Sequence, residues 1–312
     1  MPRILANTKN MPHDEWLTYR RTGIGGSDAA VVCGLNPYVS QIELWADKTG
    51  RLPPKDESEA MRIGHDLEEY VAKRFCESTG KKVRRRNSIF RHNDYDFITA
   101  NIDREIIGEN AGLECKTTSV YAKSDFENGE IPLQYYCQCM HYMNVMGYEK
   151  MYLAVLVMGK AFYWFEIPYD KDEAESLLKR EVEFWNAYIV PDVRPEPDGS
   201  ESAKNMLETI FNDRVENMIT IFEQEEIAAK LAEIKEQKKT LDSEEKQLQQ
   251  QIINALESNT RGVTLNYELS YTSRTRTGID SKRLKAEYPD VYEAIKTESS
   301  YNVFSIKERK DT

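Results

Sequence analysis

The chain has 312 residues, enough for a sizeable core and for one large domain or two ordinary ones. Its hydrophobic residues (40%) and charged residues (30%) are in the balance of a folded globular protein, and 42 basic against 53 acidic side chains leave a net charge of −11. That charge argues against a protein that coats nucleic acid through bulk electrostatics, but not against an enzyme with a local basic groove, because a bound phosphate responds to the field at its own site.

The opening residues lack the apolar core of a secretory signal, and no stretch approaches the roughly 18 apolar residues that span a bilayer, so a cytoplasmic protein without a membrane partner is expected. Residues 11–50 read as two helical pieces around the turn Thr22-Gly23-Ile24-Gly25-Gly26-Ser27-Asp28, with Ser27 or Asp28 as N-cap. Glycines before a helix start let backbone amides approach an anion. The same residues fit a plain glycine-rich turn ahead of a capped helix. No nucleotide-triphosphate loop is present, since the spacing G-x-x-x-x-G-K-[ST] does not occur.

Residues 57–79 form an amphipathic pattern, with Leu67, Val71 and Phe75 at steps of four, placing Glu68 beside the buried seam. The basic run Lys81–Arg86 suits either contact with duplex phosphates or a solvated turn entering a strand. Strands are predicted over 88–99 and 102–107, then around Gly112–Thr118, and again over 151–157 and 162–167, with a helix over 132–147. This order predicts an α/β or α+β core, a mixed central sheet flanked by helices.

The five cysteines, Cys33, Cys76, Cys115, Cys137 and Cys139, have no disulfide spacing and read as reduced thiols. Cys137, Cys139 and His141 make a compact run, but positions two apart on a helix point in different directions and no second pair accompanies them, which disfavours zinc. Tyr135, Tyr136 and Tyr142 on the same helix fit core or rim packing better than base stacking.

Pro191, Pro195, Pro197 and Gly199 fall within nine residues and mark the expected boundary, giving domains over 1–199, 200–260 and 261–312. Beyond it Ile227, Ile234, Leu241 and Leu248 recur every seven residues, while the accompanying Leu231, Lys238, Glu245 and Ile252 are only half apolar, so a long helix or coiled-coil segment is expected. The tail predicts a small α+β region: a strand through Leu265, Tyr267, Leu269 and Tyr271, a helix capped by Asp280 or Ser281, and a last strand over Tyr301–Ile306.

The chemistry-bearing residues are Asp103 and, eleven positions on, Glu114-Cys115-Lys116. Residues i and i+2 of a strand share a face, so a carboxylate ending one strand and a Glu-x-Lys on the next bring two acids and a lysine together. Carboxylate oxygens suit Mg²⁺ or Mn²⁺, and a lysine beside them can orient water and neutralise developing negative charge. Taken alone, this pattern also fits a salt-bridge cluster on a hairpin.

With Glu68 on the preceding helix and Gln138 on the following one, the ordered set resembles the PD-(D/E)xK nuclease superfamily. Trp16, Arg20, Gly23 and Ser27 narrow the resemblance to the phage exonucleases of the lambda exonuclease type and the YqaJ-like viral recombinases, over roughly residues 13–190. The resemblance implies a restriction-endonuclease-like core and a Mg²⁺-dependent exonuclease, with Mn²⁺ as substitute, that digests linear double-stranded DNA from its 5′ ends in a bacterial or phage-infected host cell. It implies Asp103, Glu114 and Glu68 as metal ligands, joined by the backbone carbonyl of Cys115 and, as a further candidate, His65. Lys116 would act on the attacking water, and Gln138 would position the lysine or the nucleophile. Arg20, favoured over Arg21 by its spacing to Trp16 and Ser27, would hold the terminal 5′-phosphate with Ser27 and Asn101.

Implied partners are double-stranded DNA ends, a RecT- or Bet-like single-strand annealing protein, and further copies of the chain in a ring-shaped trimer. Ile102 departs from the superfamily's proline, at a position that supplies no functional group. The rival readings are another endonuclease or RecB-like nuclease of the same superfamily, and a non-catalytic module that binds DNA ends or partners.

Overall fold

The computed structural model describes residues 2–52, 58–213, 215–299 and 301–306. The chain divides into two compact units, Met1–Arg214 and Val215–Thr312.

The first unit opens with β1 (Arg3–Asn7), followed by the helices α1 (His13–Arg21), α2 (Gly26–Val32), α3 (Gln41–Lys48) and α4 (Glu59–Thr79). Three helices thus stand where the sequence predicts two pieces, because Asn36 accepts backbone bonds from Tyr38 and Val39 and Ser40 caps α3 through the Glu43 amide. The helix expected from residue 57 is described from Glu59, capped by Ser58; residue 57 lies outside the described residues. Short strands follow, β2 (Val83–Arg85), β3 (Ser88–Arg91), β4 (Thr99–Ala100) and β5 (Arg104–Ile106), leading to β6 (Ala111–Thr118). The long strand expected over 88–99 is broken by the turn 92–98, which folds β4 back antiparallel on β3.

A 3₁₀ stretch (Val120–Gly129) and α5 (Leu133–Met146) connect β6 to β7 (Lys150–Val157), which turns into β8 (Ala161–Pro168) and α6 (Lys171–Phe184). The central sheet has the order β2-β5-β6-β7-β8 and is mixed: β6 and β7 run parallel, with Glu114 opposite Leu153 and Lys116 opposite Val155, and the other neighbours are antiparallel. A second sheet joins β1, β3 and β4.

Two buried clusters cover the two faces of the central sheet. On one, Val71, Ala72 and Phe75 of α4 pack on Leu113, Tyr152 and Ala154. On the other, Met140 and Met143 of α5 meet Met151, Leu153 and Val155, with α2 and α6 behind. Alternation along β6 therefore turns Leu113 and Cys115 towards α4 and Glu114 and Lys116 towards α5. The expected mixed sheet flanked by helices is the observed architecture.

The proline-rich segment expected to end the first domain lies inside this unit. Past Gly199, α7 (Glu201–Ile210) buries Ala203 and Met206 in the larger core, and Ser202 bonds to Ser40 and Glu43, so the compact unit runs on to Arg214.

In the second unit a 3₁₀ turn (Phe222–Gln224) leads into α8 (Glu225–Leu256), whose seven-residue seam of Ile227, Ile234, Leu241 and Leu248 stays exposed. The hairpin of β9 (Arg261–Val263) and β10 (Glu268–Ser270) replaces the single strand expected from Leu265 to Tyr271, because Thr264 and Tyr267 bond across a tight turn. Asp280 caps α9 (Ser281–Glu287) as expected, and α10 (Pro289–Ile295) follows. The last strand expected over 301–306 does not form; among the described residues those positions have no ladder partner. Among the described residues no helix is long and apolar enough to cross a membrane.

Candidate active site

Helices α1, α2, α4 and α5 and the C-terminal half of β6 line a cleft of about 380 Å³ that gathers Arg20, Ser27, His65, Glu68, Asn101, Asp103, Glu114, Lys116 and Gln138. All the side chains predicted for the site are thus brought to one cavity. Its floor follows from the strand period: Glu114 and Lys116 share a face, and Lys116 Nζ donates to Glu114 Oε1 at 2.5 Å. Gln138 of α5 donates to the same oxygen at 2.7 Å and is also 2.9 Å from the buried Tyr142 hydroxyl. Glu114 Oε2 is buried without a hydrogen-bond partner in the described structure.

Asp103 begins the β5 arm rather than ending a strand, and its Oδ2 accepts the Cys115 N–H at 2.8 Å across the hairpin. Burial, the Glu114 carboxylate and then Glu68 push the Asp103 carboxyl well above the usual carboxylate range, against the opposite pull of Lys116. Burial alone would lower the Lys116 ammonium, but Glu114 and Asp103 outweigh it and hold the proton more tightly than in water. Tyr135 adds an aromatic face 5.5 Å from Lys116 Nζ.

Glu68 stands at the cleft, but Arg104 holds its Oε1 and also reaches Glu69 at 2.9 Å. Among the described residues, no three His, Cys, Asp or Glu side chains converge closely enough to make a ready metal cage. The donors at the cleft floor nevertheless fit a hard divalent cation: the buried Glu114 carboxylate, with one unpartnered oxygen, and the half-buried Asp103 carboxylate, raised by desolvation and by its like-charged neighbours. Such a cation would sit at Asp103 and Glu114, with Glu68 joining by release from Arg104.

At the other end of the cleft, Arg20 Nη2 donates to Ser27 Oγ at 2.5 Å, and its guanidinium lies 5.4 Å from the Trp16 ring. Arg21 turns away, to Asp47 at 3.4 Å and the Leu52 carbonyl at 3.0 Å. The geometry thus separates the two arginines that the sequence leaves adjacent.

The glycines of the turn serve close packing. A Cβ on Gly26 would meet the Tyr142 ring at 2.5 Å, and one on Gly23 would meet the Phe97 carbonyl oxygen at 2.5 Å. Helix α2 starts two residues earlier than a Ser27 cap implies, with Gly25 at the N-cap. Asp28, predicted as a cap, lies at the third helical position, where it accepts the Gly25 N–H at 3.0 Å. Behind it, Lys48 Nζ reaches Asp28 Oδ2 at 2.6 Å and the Arg20 carbonyl at 2.9 Å. Sequence reasoning missed Lys48 and Arg104. Arg104 carried a signal, a cation beside Asp103 in a segment rich in acids; Lys48 carried none, since a single lysine near a helix end is ordinary.

The basic run is balanced by acids: Lys81 pairs with Glu109, Arg84 and Arg86 with Glu105, and Arg85 with Glu69. Cys137 and His141 serve packing: Cys137 neighbours Cys33, and the buried His141 bridges Glu181 and the Thr99 carbonyl, both at 2.7 Å.

The YqaJ-like viral recombinase domain matches residues 15–149. The chain is 43% identical to YqaJ of Bacillus subtilis (strain 168), over 98% of this chain and 97% of that protein. An alkaline exonuclease from Laribacter hongkongensis, LHK-Exo, superposes with a TM-score of 0.50 at 17% identity, over 58% of this chain and 94% of its own, as does its complex with dAMP. That likeness is one of fold. Near-complete coverage at this level of identity, together with the matched domain, places the chain in the YqaJ-like viral recombinase family.

Proposed function

We propose that the chain is a metal-dependent deoxyribonuclease that digests linear double-stranded DNA from the 5′ end and leaves a 3′ single strand for recombination by single-strand annealing. The observation that carries this reading is one cleft with Asp103, Glu114, Lys116 and Gln138 on its floor and the Arg20–Ser27 pair at its end. The exonuclease named among its structural neighbours supports it.

Asp103 and Glu114, with Glu68 and the Cys115 carbonyl, would hold Mg²⁺, or Mn²⁺ in its place. When bound, such a cation polarises the phosphodiester and lowers the pKa of water. Gln138 fixes Glu114 through Oε1 and leaves Oε2 without a hydrogen bond among the described residues. Lys116, held as an ammonium, orients the attacking water as a hydrogen-bond donor and neutralises charge gathering on the phosphate. Attack at phosphorus breaks the bond to the 3′-oxygen of the terminal nucleotide, which leaves as the 5′-mononucleotide. The next nucleotide keeps a 5′-phosphate. Arg20, Ser27 and Asn101 then receive that new phosphate, so each cut regenerates the group that the pocket holds. A RecT- or Bet-like annealing protein, a ring-shaped trimer around the duplex and a cytoplasmic setting complete the reading, all by family resemblance.

The test compares one duplex in linear and in covalently closed circular form, with Mg²⁺ or Mn²⁺. Degradation of the linear form alone is expected; nicking of the circle at an equal rate would replace the exonuclease with an endonuclease.

A further inference from the structure

Arg20 faces a physical difficulty as a phosphate receptor. Its guanidinium lies 3.5 Å from Asp28 Oδ1, and an arginine paired with a carboxylate offers an incoming phosphate little net charge. The structure resolves this with a third group. Lys48 has no exposed side-chain surface and donates to Asp28 Oδ2 at 2.6 Å, on the side of the carboxylate away from Arg20. Asp28 is itself almost fully buried, whereas more than a third of the Arg20 side chain is exposed at the cleft. The three groups carry one net positive charge, and only Arg20 can present it to a ligand.

We propose that Lys48 is a positioning residue that sets selectivity for 5′-phosphorylated ends: it neutralises Asp28, so that Asp28 can orient Arg20 without cancelling its charge. Lys48 also ties down the end of α1 through the Arg20 carbonyl at 2.9 Å, so the same ammonium fixes the backbone from which the guanidinium projects. Asp28 remains ionised throughout the neutral range: burial would raise its carboxyl, but Lys48 and Arg20 draw it down to about 2. The inference rests on the proposed phosphate-binding role of Arg20.

The test uses the full-length protein and measures KM for duplexes bearing 5′-phosphate and 5′-hydroxyl ends, with folding followed by thermal melting. Wild type is compared with Arg20→Ala, Lys48→Met and the double variant Lys48→Met/Asp28→Asn. The single variant leaves Asp28 facing Arg20 alone, and the preference for phosphate is expected to fall by about tenfold, the worth of one charge-assisted bond. The double variant removes both buried charges, restores one net positive charge to the pocket, and is expected to recover most of the preference.

A structural role alone would not produce that recovery. Should Lys48→Met fail to fold, the double variant, which buries no unpaired charge, decides the matter: retained preference supports the proposal and lost preference overturns it. Wild-type preference in a folded Lys48→Met protein overturns it as well. A wild type indifferent to the 5′-phosphate would instead remove the role of Arg20, and this proposal with it.

Discussion

Gln138 Nε2 and Lys116 Nζ donate to one and the same oxygen, Glu114 Oε1, at 2.7 and 2.5 Å. Helix α5 and strand β6 thereby lock a single carboxylate from two directions, and its other oxygen is left buried without a hydrogen-bond partner among the described residues. Gln138→Ala removes one of these restraints and is expected to lower kcat by about 10- to 100-fold, the usual effect of removing a partner that orients a metal ligand. The loss should be accompanied by weaker Mg²⁺ activation. Steady-state digestion across a metal titration checks both.

Asp103 gives a prediction of opposite sign for stability and activity. Its carboxyl is raised above the ordinary value of 3.8 by burial and by Glu114 and Glu68. The folded state therefore binds this proton more tightly than the unfolded chain, and the metal-free protein loses stability as pH rises from the unfolded value through the raised one. Asp103→Asn keeps an oxygen to accept the Cys115 amide and removes the charge. Thermal melts in chelator at pH 8 should show the variant more stable than wild type, while cutting of DNA is abolished.

Asp28 titrates the other way. Held at about 2 against 3.8 for a free side chain, it contributes about 2 kcal/mol of stability above pH 4, and this is lost as pH falls through about 2. Denaturant melts between pH 5 and pH 2 should show a steeper loss in wild type than in Lys48→Met/Asp28→Asn, by about that amount.

Truncation separates the two units. A chain ending at Arg214 keeps α7 and is expected to fold. One ending at Gly199 uncovers the core behind Ala203 and Met206 and breaks the Ser202 bonds to Ser40 and Glu43, with an expected cost of about 3 kcal/mol or more. Urea melts of the two fragments give the difference.

Sequence patterns reached the parts of this molecule that local periodicity governs. Glu114 and Lys116 were legible because a strand repeats every two residues, and Glu68 because it follows a helical stripe. The sequence suggests a strand end for Asp103, which in fact precedes β5, since a carboxylate in a hairpin leaves the same local trace on either side of the turn. Tertiary pairings left no such trace. The Asp28–Lys48 bond joins residues twenty positions apart on α2 and α3, and Arg104 turns back 36 positions to Glu68. The prolines near residue 195 did mark a loop, but α7 returns across it to the first core, which composition alone does not reveal. The tail segment 301–306 has residues suited to a strand but, among the described residues, no neighbouring strand to bond with.

The central claim is that Lys116 serves end-directed hydrolysis of duplex DNA, and digestion of linear duplexes labelled separately at each end, with 5′-phosphate or 5′-hydroxyl termini in Mg²⁺ or Mn²⁺, tests it most directly. Wild type should release labelled 5′-mononucleotides first and favour phosphorylated ends, and Lys116→Ala should slow that release by about 100-fold or more while melting like wild type. Release from the 3′ end, or 5′ release unaffected by loss of Lys116 in a folded protein, would contradict the account.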